Sequence, residues 1–339
     1  MPYFFKLPAL TELTVAQQAA LNDPNPVSVF GGPGTGKSVV AMYRHIRNYD
    51  LGTKRSLLLT YTKTLEAYFT ASARTRNEKA GNAIDRTKNW VTHNKSQYDE
   101  IIIDEAQDVD LVWYTTIRHY TNSFCYGADE DQSIYLTRAA LSQVLTGLKS
   151  WFPNNKEYMF DENFRNTLEI TRFVRALFPH RRIDHSSIEG IKPKVLITNN
   201  SDSKKFKAII EIIEEFSGDT HNIAIFVPKA DQVTLYHDKI KETGIICSKY
   251  VYTDSNLTTI ENVHTTTLKS SKGTEFDTVI IPDFEQMKAN NATLEVGSEA
   301  AYYVALTRAR KNLYLICSSL PNFLQSSISQ IDTYEKIIL

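Results

Sequence analysis

Cysteine is scarce, with Cys125, Cys247 and Cys317 standing far apart among apolar neighbours. That spacing excludes a disulfide framework and a paired-cysteine metal cluster, so the three read as buried core thiols in a reducing compartment. Neither sign of charge is in excess: 38 Lys and Arg face 39 Asp and Glu. No global field draws such a chain onto nucleic acid or an anionic membrane, and any nucleic-acid site has to be local. The opening MPYFFKLPAL lacks the basic start and long apolar run of a secretory signal, and no apolar stretch is long enough to span a bilayer. A soluble, cytoplasmic protein is expected. Low-complexity tracts and short-period repeats are missing too.

What is present is enough apolar residue, 42% of 339, for one large core or two ordinary ones, and this length favours two domains. Short β-branched or Leu-rich runs alternate with helical patterns at Val27–Phe30, Ser56–Thr60, Glu100–Ile103, Ser123–Tyr126 and Glu157–Phe160. Such alternation marks a parallel sheet covered by helices. A second series follows at Lys194–Thr198, Ile223–Val227, Val263–Thr267, Thr278–Ile281 and Asn312–Cys317, with amphipathic stretches at Lys204–Phe216 and Ala230–Thr243. Two α/β parallel-sheet lobes are expected, residues 1–160 and 161–339. The junction has no Pro/Gly/Ser linker, which suits a short hinge.

Gly31-Gly32-Pro33-Gly34-Thr35-Gly36-Lys37-Ser38 follows the first strand and opens an amphipathic helix, the context that makes this pattern a phosphate loop. Glycines let the backbone fold around phosphate oxygens with its N–H groups pointing inward. Lys37 would then reach the β- and γ-phosphates of a nucleoside triphosphate, and the Ser38 hydroxyl would supply a ligand to Mg²⁺. Further on, an apolar strand ends in Asp104-Glu105-Ala106-Gln107-Asp108. A carboxylate at a strand tip beside the loop can hold Mg²⁺, and the next can orient and deprotonate an attacking water. Asp104 takes the first role and Glu105 the second.

With these motifs in place the chain resembles the UvrD/Rep-like branch of superfamily 1 helicases, over nearly its whole length and with the motifs in the family's order. The resemblance implies two RecA-like lobes with ATP in the cleft between them. It implies that Gln17, in Leu13-Thr14-x-x-Gln17, reads the adenine edge, and that Thr60-Tyr61-Thr62 contacts single-stranded DNA. In Gly127-Ala128-Asp129-Glu130-Asp131-Gln132-Ser133-Ile134-Tyr135, Gln132 would sense the γ-phosphate and Tyr135 would contact a base. In Glu162-Asn163-Phe164-Arg165, Phe164 stands where Tyr is more usual, to stack on adenine, while Arg165 approaches the γ-phosphate. The run Thr267-x-x-x-x-Lys272-Gly273-Thr274-Glu275-Phe276-Asp277 is similar to the fifth motif. There Gly273 and Glu275 serve the nucleotide, Glu275 at the ribose, while Thr267 and Lys269 face nucleic acid. Tyr303-Val304-Ala305-Leu306-Thr307-Arg308-Ala309-Arg310 matches the sixth, with Arg308 as a second arginine finger. Charge developing on the transferred phosphoryl group would be stabilised by Arg165 and Arg308 together.

Departures from the pattern fall on the nucleic-acid side. Thr137 stands where an aromatic platform is usual, and such platforms contribute about 1–3 kcal/mol per base. Lys269 replaces the usual His. Tyr61 and Tyr135 remain as stackers, with core packing as the alternative. The gaps leave no room for the family's large helical insertions: the first holds a helix and a connector with Trp90 and His93, and the second at most a short loop near Tyr252–Asn262. His93 reads as a solvent-exposed loop residue without a role. The expected function is an ATP-dependent translocase or helicase on single-stranded DNA, RNA not excluded, with 3′→5′ polarity implied by the family. The alternative is a nucleotide-driven switch subunit that gates a partner such as a nuclease, in DNA repair or phage defence, without unwinding.

Overall fold

A computed structural model describes residues 7–134, 138–251, 260–287, 298–327 and 332–339. Thirteen strands are found among them: β1 Val27–Gly31, β2 Ser56–Thr60, β3 Ile84–Arg86, β4 Glu100–Ile103, β5 Phe124–Ala128, β6 Lys156–Phe160, β7 Lys194–Ile197, β8 Ile223–Val227, β9 Cys247–Tyr250, β10 Val263–Thr267, β11 Phe276–Ile281, β12 Ala309–Cys317 and β13 Glu335–Ile338. They form two all-parallel sheets, ordered β3-β2-β4-β5-β1-β6 and β13-β7-β12-β11-β8-β10-β9. Each sheet belongs to its own compact unit, the one ending at Glu162 and the other beginning at Asn163. The expectation of two parallel-sheet α/β lobes holds.

Central strands of a parallel sheet are covered on both faces and so carry unbroken apolar runs. In the first unit Leu58, Ile102 and Cys125 turn to one face, where they pack with Val40, Met42, Tyr43 and Ile46 of the helix Lys37–Asp50. Leu57, Leu59, Ile101, Ile103, Phe124 and Tyr126 turn to the other and meet the helices Leu111–Ile117 and Arg138–Trp151 through Ile117, Val144 and Leu148. The second sheet buries Ile223, Ile225, Val227, Ile280 and Ile316 against the helices Asp202–Phe216 and Ala230–Glu242.

One buried charge cluster crosses the first core. Arg44 donates from Nε to Glu100 Oε2 at 3.0 Å and from Nη2 to Oε1 at 2.9 Å, and Asn48, Lys54 and Ser123 complete the shell around that carboxylate. Burial alone would raise the Glu100 pKa; the guanidinium, the Lys54 ammonium and the Asn48 amide outweigh it and hold the group at about 2. The cluster ties the helix Lys37–Asp50 to the start of β4, the strand whose far end leads into Asp104.

Three strands escaped the sequence reading: β3, β9 and β13, each short and each at a sheet edge. The connector expected around Trp90 and His93 therefore contains β3. His93 is exposed as expected, though in the π-helical segment Trp90–Asn94 rather than in a loop, and Trp90 is buried. All three cysteines are free thiols, but Cys247 is only partly buried, on edge strand β9, unlike the core thiol expected there. Tyr135 and Thr137 lie outside the described residues, as do residues 252–259 of the stretch Tyr252–Asn262. No helix among the described residues is long and apolar enough to cross a membrane.

Candidate active site

In a parallel sheet the loops at the carboxyl ends of the strands gather at one edge, beside the point where the strand order reverses. β1 is flanked there by β5, which leads back to β4 and β2, and by β6. The ends of β1, β2, β4 and β5 and the loops after them carry most of the expected first-unit residues: Gly31 to Ser38, Thr60 to Thr62, Asp104 with Glu105, and Gln132.

The loop after β1 is closed by its own side chains. Lys37 Nζ donates to the carbonyl oxygens of Gly31 and Gly32, each at 2.8 Å, and Thr35 Oγ1 donates to Gly32 O at 2.9 Å. Gly36 caps the following helix at φ 88°, in the left-handed region, and Gly34 has φ 75°. The turn leads into the N-terminus of the helix Lys37–Asp50, the positive end of its dipole, which favours an anion. Gln17 is buried behind the loop: its Nε2 donates to Thr35 O at 2.9 Å and its Oε1 accepts the Thr14 N–H at 2.9 Å. The residue expected to read adenine is thus also a brace of the phosphate loop.

Ser38 Oγ donates to Asp104 Oδ2 at 2.8 Å. Burial first, and then the neighbouring Glu105 carboxylate, push the Asp104 carboxyl up to about 7. A hydroxyl and a carboxylate oxygen at this separation are hard donors of the kind Mg²⁺ takes alongside water and phosphate oxygens, so the pair fits that ion. Glu105 has φ 58°, a left-handed backbone on a non-glycine residue, which costs about 1–3 kcal/mol and recurs at functional sites. Gln107 Nε2 donates to Glu105 Oε2, and Gln107 Oε1 accepts the Asp129 N–H at 3.1 Å. Asp129 Oδ2 in turn accepts from Gln132 Nε2 at 2.6 Å and lies 3.7 Å from Lys37 Nζ. Burial raises the Asp129 pKa. A single network thus joins Glu105, Gln107, Asp129, Gln132 and Lys37. Gln107 and Asp129 had no role in the sequence reading, although both stand inside its motifs.

Along the same edge Thr60 is buried, its carbonyl accepting from Thr87 Oγ1 at 3.2 Å. Thr62 caps the helix Lys63–Arg74 by accepting the Leu65 N–H at 3.2 Å. Tyr61 is half-buried against the core around Leu57 and Leu59, and burial pushes its hydroxyl up to about 12.

The second unit splits its candidates between the two edges of its sheet. At the amino edge, Arg165 Nε donates to Glu275 Oε2 at 2.9 Å, and Arg310 Nη1 lies 3.8 Å from Glu275 Oε1. Burial would raise the Glu275 pKa; Arg165, Arg310 and Arg308 together lower it. Arg308, only 1% exposed, donates from Nε to Val304 O at 2.9 Å and from Nη1 to Thr274 O at 3.5 Å. Phe164, in contrast, is 41% exposed, leaving a ring free to stack. Gly273 has φ 82° in the turn leading into β11. At the carboxyl edge, after β10, Thr267 Oγ1 donates to Ser270 Oγ at 3.0 Å, and burial lowers the pKa of half-buried Lys269.

Residues 14–138 match the family described as an AAA domain, and residues 251–319 match the UvrD-like helicase C-terminal domain. The ATP-dependent DNA helicase PcrA of Staphylococcus epidermidis is 30% identical over 129 residues, covering 37% of this chain and 17% of that protein. The RecBCD enzyme subunit RecB of Chlamydia pneumoniae is 44% identical over 254 residues, 70% of this chain and 23% of that protein. The chain thus spans about a fifth of the length of these curated relatives. Among solved structures, the arterivirus nonstructural protein 10 helicase with DNA aligns over 91% of this chain and 64% of its own, at 12% identity and a TM-score of 0.48.

Proposed function

We propose that this chain, a member of the UvrD-like superfamily 1 helicases, hydrolyses ATP to move along single-stranded DNA with 3′→5′ polarity. The observation that carries the reading is the 2.8 Å contact of Ser38 with Asp104, beside Glu105 and beneath a loop closed by Lys37.

Each residue's part follows from charge and reach. The N–H groups of residues 34–38 and the Lys37 ammonium bind the phosphates. Ser38 and Asp104 would hold Mg²⁺, which would neutralise phosphate charge. Glu105 takes a proton from water as its oxygen bonds to the γ-phosphorus and the bond to the β-phosphate oxygen breaks. Gln107 keeps Glu105 aimed, and Gln132 senses the γ-phosphate. Arg165 and Arg308 stabilise the charge that develops on the phosphoryl oxygens. In the second unit Phe164 is assigned to stack on adenine and Glu275 to meet the ribose; in the first, Gln17 is assigned to the adenine edge. Tyr61 and Thr62 in the first unit, and Thr267 and Lys269 in the second, are the candidate DNA contacts; Thr60, expected among them, is fully buried and is not one of them.

Glu105→Gln is expected to bind ATP like the parent and to lose turnover, while Lys37→Ala weakens binding itself. Steady-state phosphate release with parallel nucleotide binding measures both, and parental turnover in Glu105→Gln refutes the assignment. The similarity to a protein described as a subunit of the RecBCD enzyme favours a second reading, a nucleotide switch that gates a partner such as a nuclease. Such a switch hydrolyses ATP without moving along DNA.

A further inference from the structure

Among the enclosed side chains of the turn after Glu162 is one, Asn166, whose Nδ2 bonds serve neither the turn nor the helix that follows. Asn166 is fully buried. Its Nδ2 donates to the carbonyl oxygens of Thr307 at 3.1 Å and Ala309 at 2.6 Å, the two residues flanking Arg308. Its Oδ1 accepts from Asn163 Nδ2 at 2.9 Å. Asn163 Oδ1 in turn accepts the N–H groups of Asn166 at 3.0 Å and Arg165 at 2.9 Å. Local needs are met without the Asn166 amide: Asn163 shapes the turn, and Thr167 caps the helix Leu168–Leu177 by accepting the Ile170 N–H. The Asn166 side chain is therefore spent on joining the loop of Arg165 to the loop of Arg308, across more than 140 residues of sequence.

Two guanidinium groups repel, and nothing in their own chemistry sets their separation. A buried neutral amide bonded to backbone on both sides of one and next to the other sets it without adding charge. Glu275 adds a charged tie on the outer side, through Arg165 Nε, while Arg308 reaches the adjacent carbonyl of Thr274. We propose that Asn166 is a positioning residue that fixes the spacing of Arg165 and Arg308 so that both act on one phosphoryl group. The inference rests on the ATP-hydrolysis reading above. Misplacement of a stabilising group by about 1 Å costs on the order of a hundredfold in rate, so the amide is expected to govern kcat rather than binding.

The test compares Asn166→Ala, Arg165→Ala, Arg308→Ala and the two doubles that contain Asn166→Ala. Read-outs are single-turnover ATP hydrolysis, affinity for a non-hydrolysable ATP analogue and thermal midpoint. Asn166→Ala is expected to lower the rate by about tenfold or more with analogue affinity kept within about twofold. Its effect should shrink in each arginine background, because one of the two groups it spaces is then gone. A parental rate in Asn166→Ala, or an effect that multiplies in full in both backgrounds, overturns the proposal; the second is what a purely structural role produces. If Asn166→Ala does not fold, Asn166→Ser, which keeps a short donor toward one carbonyl, carries the same comparison. A parent chain without turnover overturns the hydrolysis reading and this inference with it, whereas an active parent with an indifferent Asn166→Ala overturns this inference alone.

Discussion

Replacing Gly36 by Ala tests the brace between Gln17 and the phosphate loop. A Cβ at Gly36 would lie 2.5 Å from Gln17 Nε2, on a residue held at φ 88°. The left-handed conformation costs an alanine about 1–2 kcal/mol. The Gln17 amide must also swing aside and give up its bond to Thr35 O, worth about 0.5–1.5 kcal/mol. A stiffer unfolded chain returns about 0.4–1 kcal/mol. The net loss is near 2 kcal/mol, which lowers the melting midpoint of a unit this size by roughly 4–8 °C. In a Gln17→Ala background the collision and the lost bond are already gone, so Gly36→Ala there should cost only the backbone part, about 1 kcal/mol. Thermal unfolding of the four proteins measures the cycle, and titration with a labelled nucleotide shows whether the distorted loop also loses affinity, as expected. A neutral Gly36→Ala, or full additivity with Gln17→Ala, refutes the brace.

Two further outcomes concern buried ionisable groups. His45 donates from Nε2 to Ala80 O and accepts from Ser56 Oγ at Nδ1, and burial pushes it down to about 4. The unfolded chain takes that proton below about 6.5 and the folded one does not, so stability should fall as pH drops from 6.5 toward 4. Glu100, held at about 2 against an ordinary 4.5, stabilises the fold above 4.5 and loses that contribution between 4.5 and 2. Melting midpoints against pH check both, and an unchanged slope above pH 4 in His45→Asn would count against the first. For the track, Tyr61→Ala should weaken binding of a labelled single-stranded oligonucleotide in anisotropy while sparing basal hydrolysis. Unchanged affinity with a lowered melting midpoint would assign Tyr61 to the core it packs against.

Some of this was legible before any coordinates because it is local. β8 and β10 fall on the residues expected, since Ile223–Val227 and Val263–Thr267 are uninterrupted strand-forming runs buried on both faces. β3, β9 and β13 read Ile-Asp-Arg, Cys-Ser-Lys-Tyr and Glu-Lys-Ile-Ile, polar and short because an edge strand pairs on one side only and is kept from pairing further. The glycine-rich loop before Lys37 and the Asp104–Glu105 pair stand out in the sequence by their spacing. The Arg44–Glu100 tie, the link from Gln17 to Thr35 and the Asn166 amide between two arginine loops leave no such trace, because each joins groups distant in sequence that meet only in the folded chain. The left-handed Glu105 is likewise invisible, since nothing in its residue type asks for positive φ.

In a motor of the proposed kind, ATP hydrolysis at this site is coupled to a single strand of DNA. Steady-state ATP turnover of the purified chain, measured with and without a single-stranded DNA oligonucleotide at low salt, tests it most directly. Turnover is expected to depend on Glu105, to rise several-fold with the oligonucleotide and to fall back as added salt releases the strand. Turnover that depends on Glu105 yet is indifferent to single-stranded DNA would contradict the motor and leave the switch; no turnover at all would contradict the site.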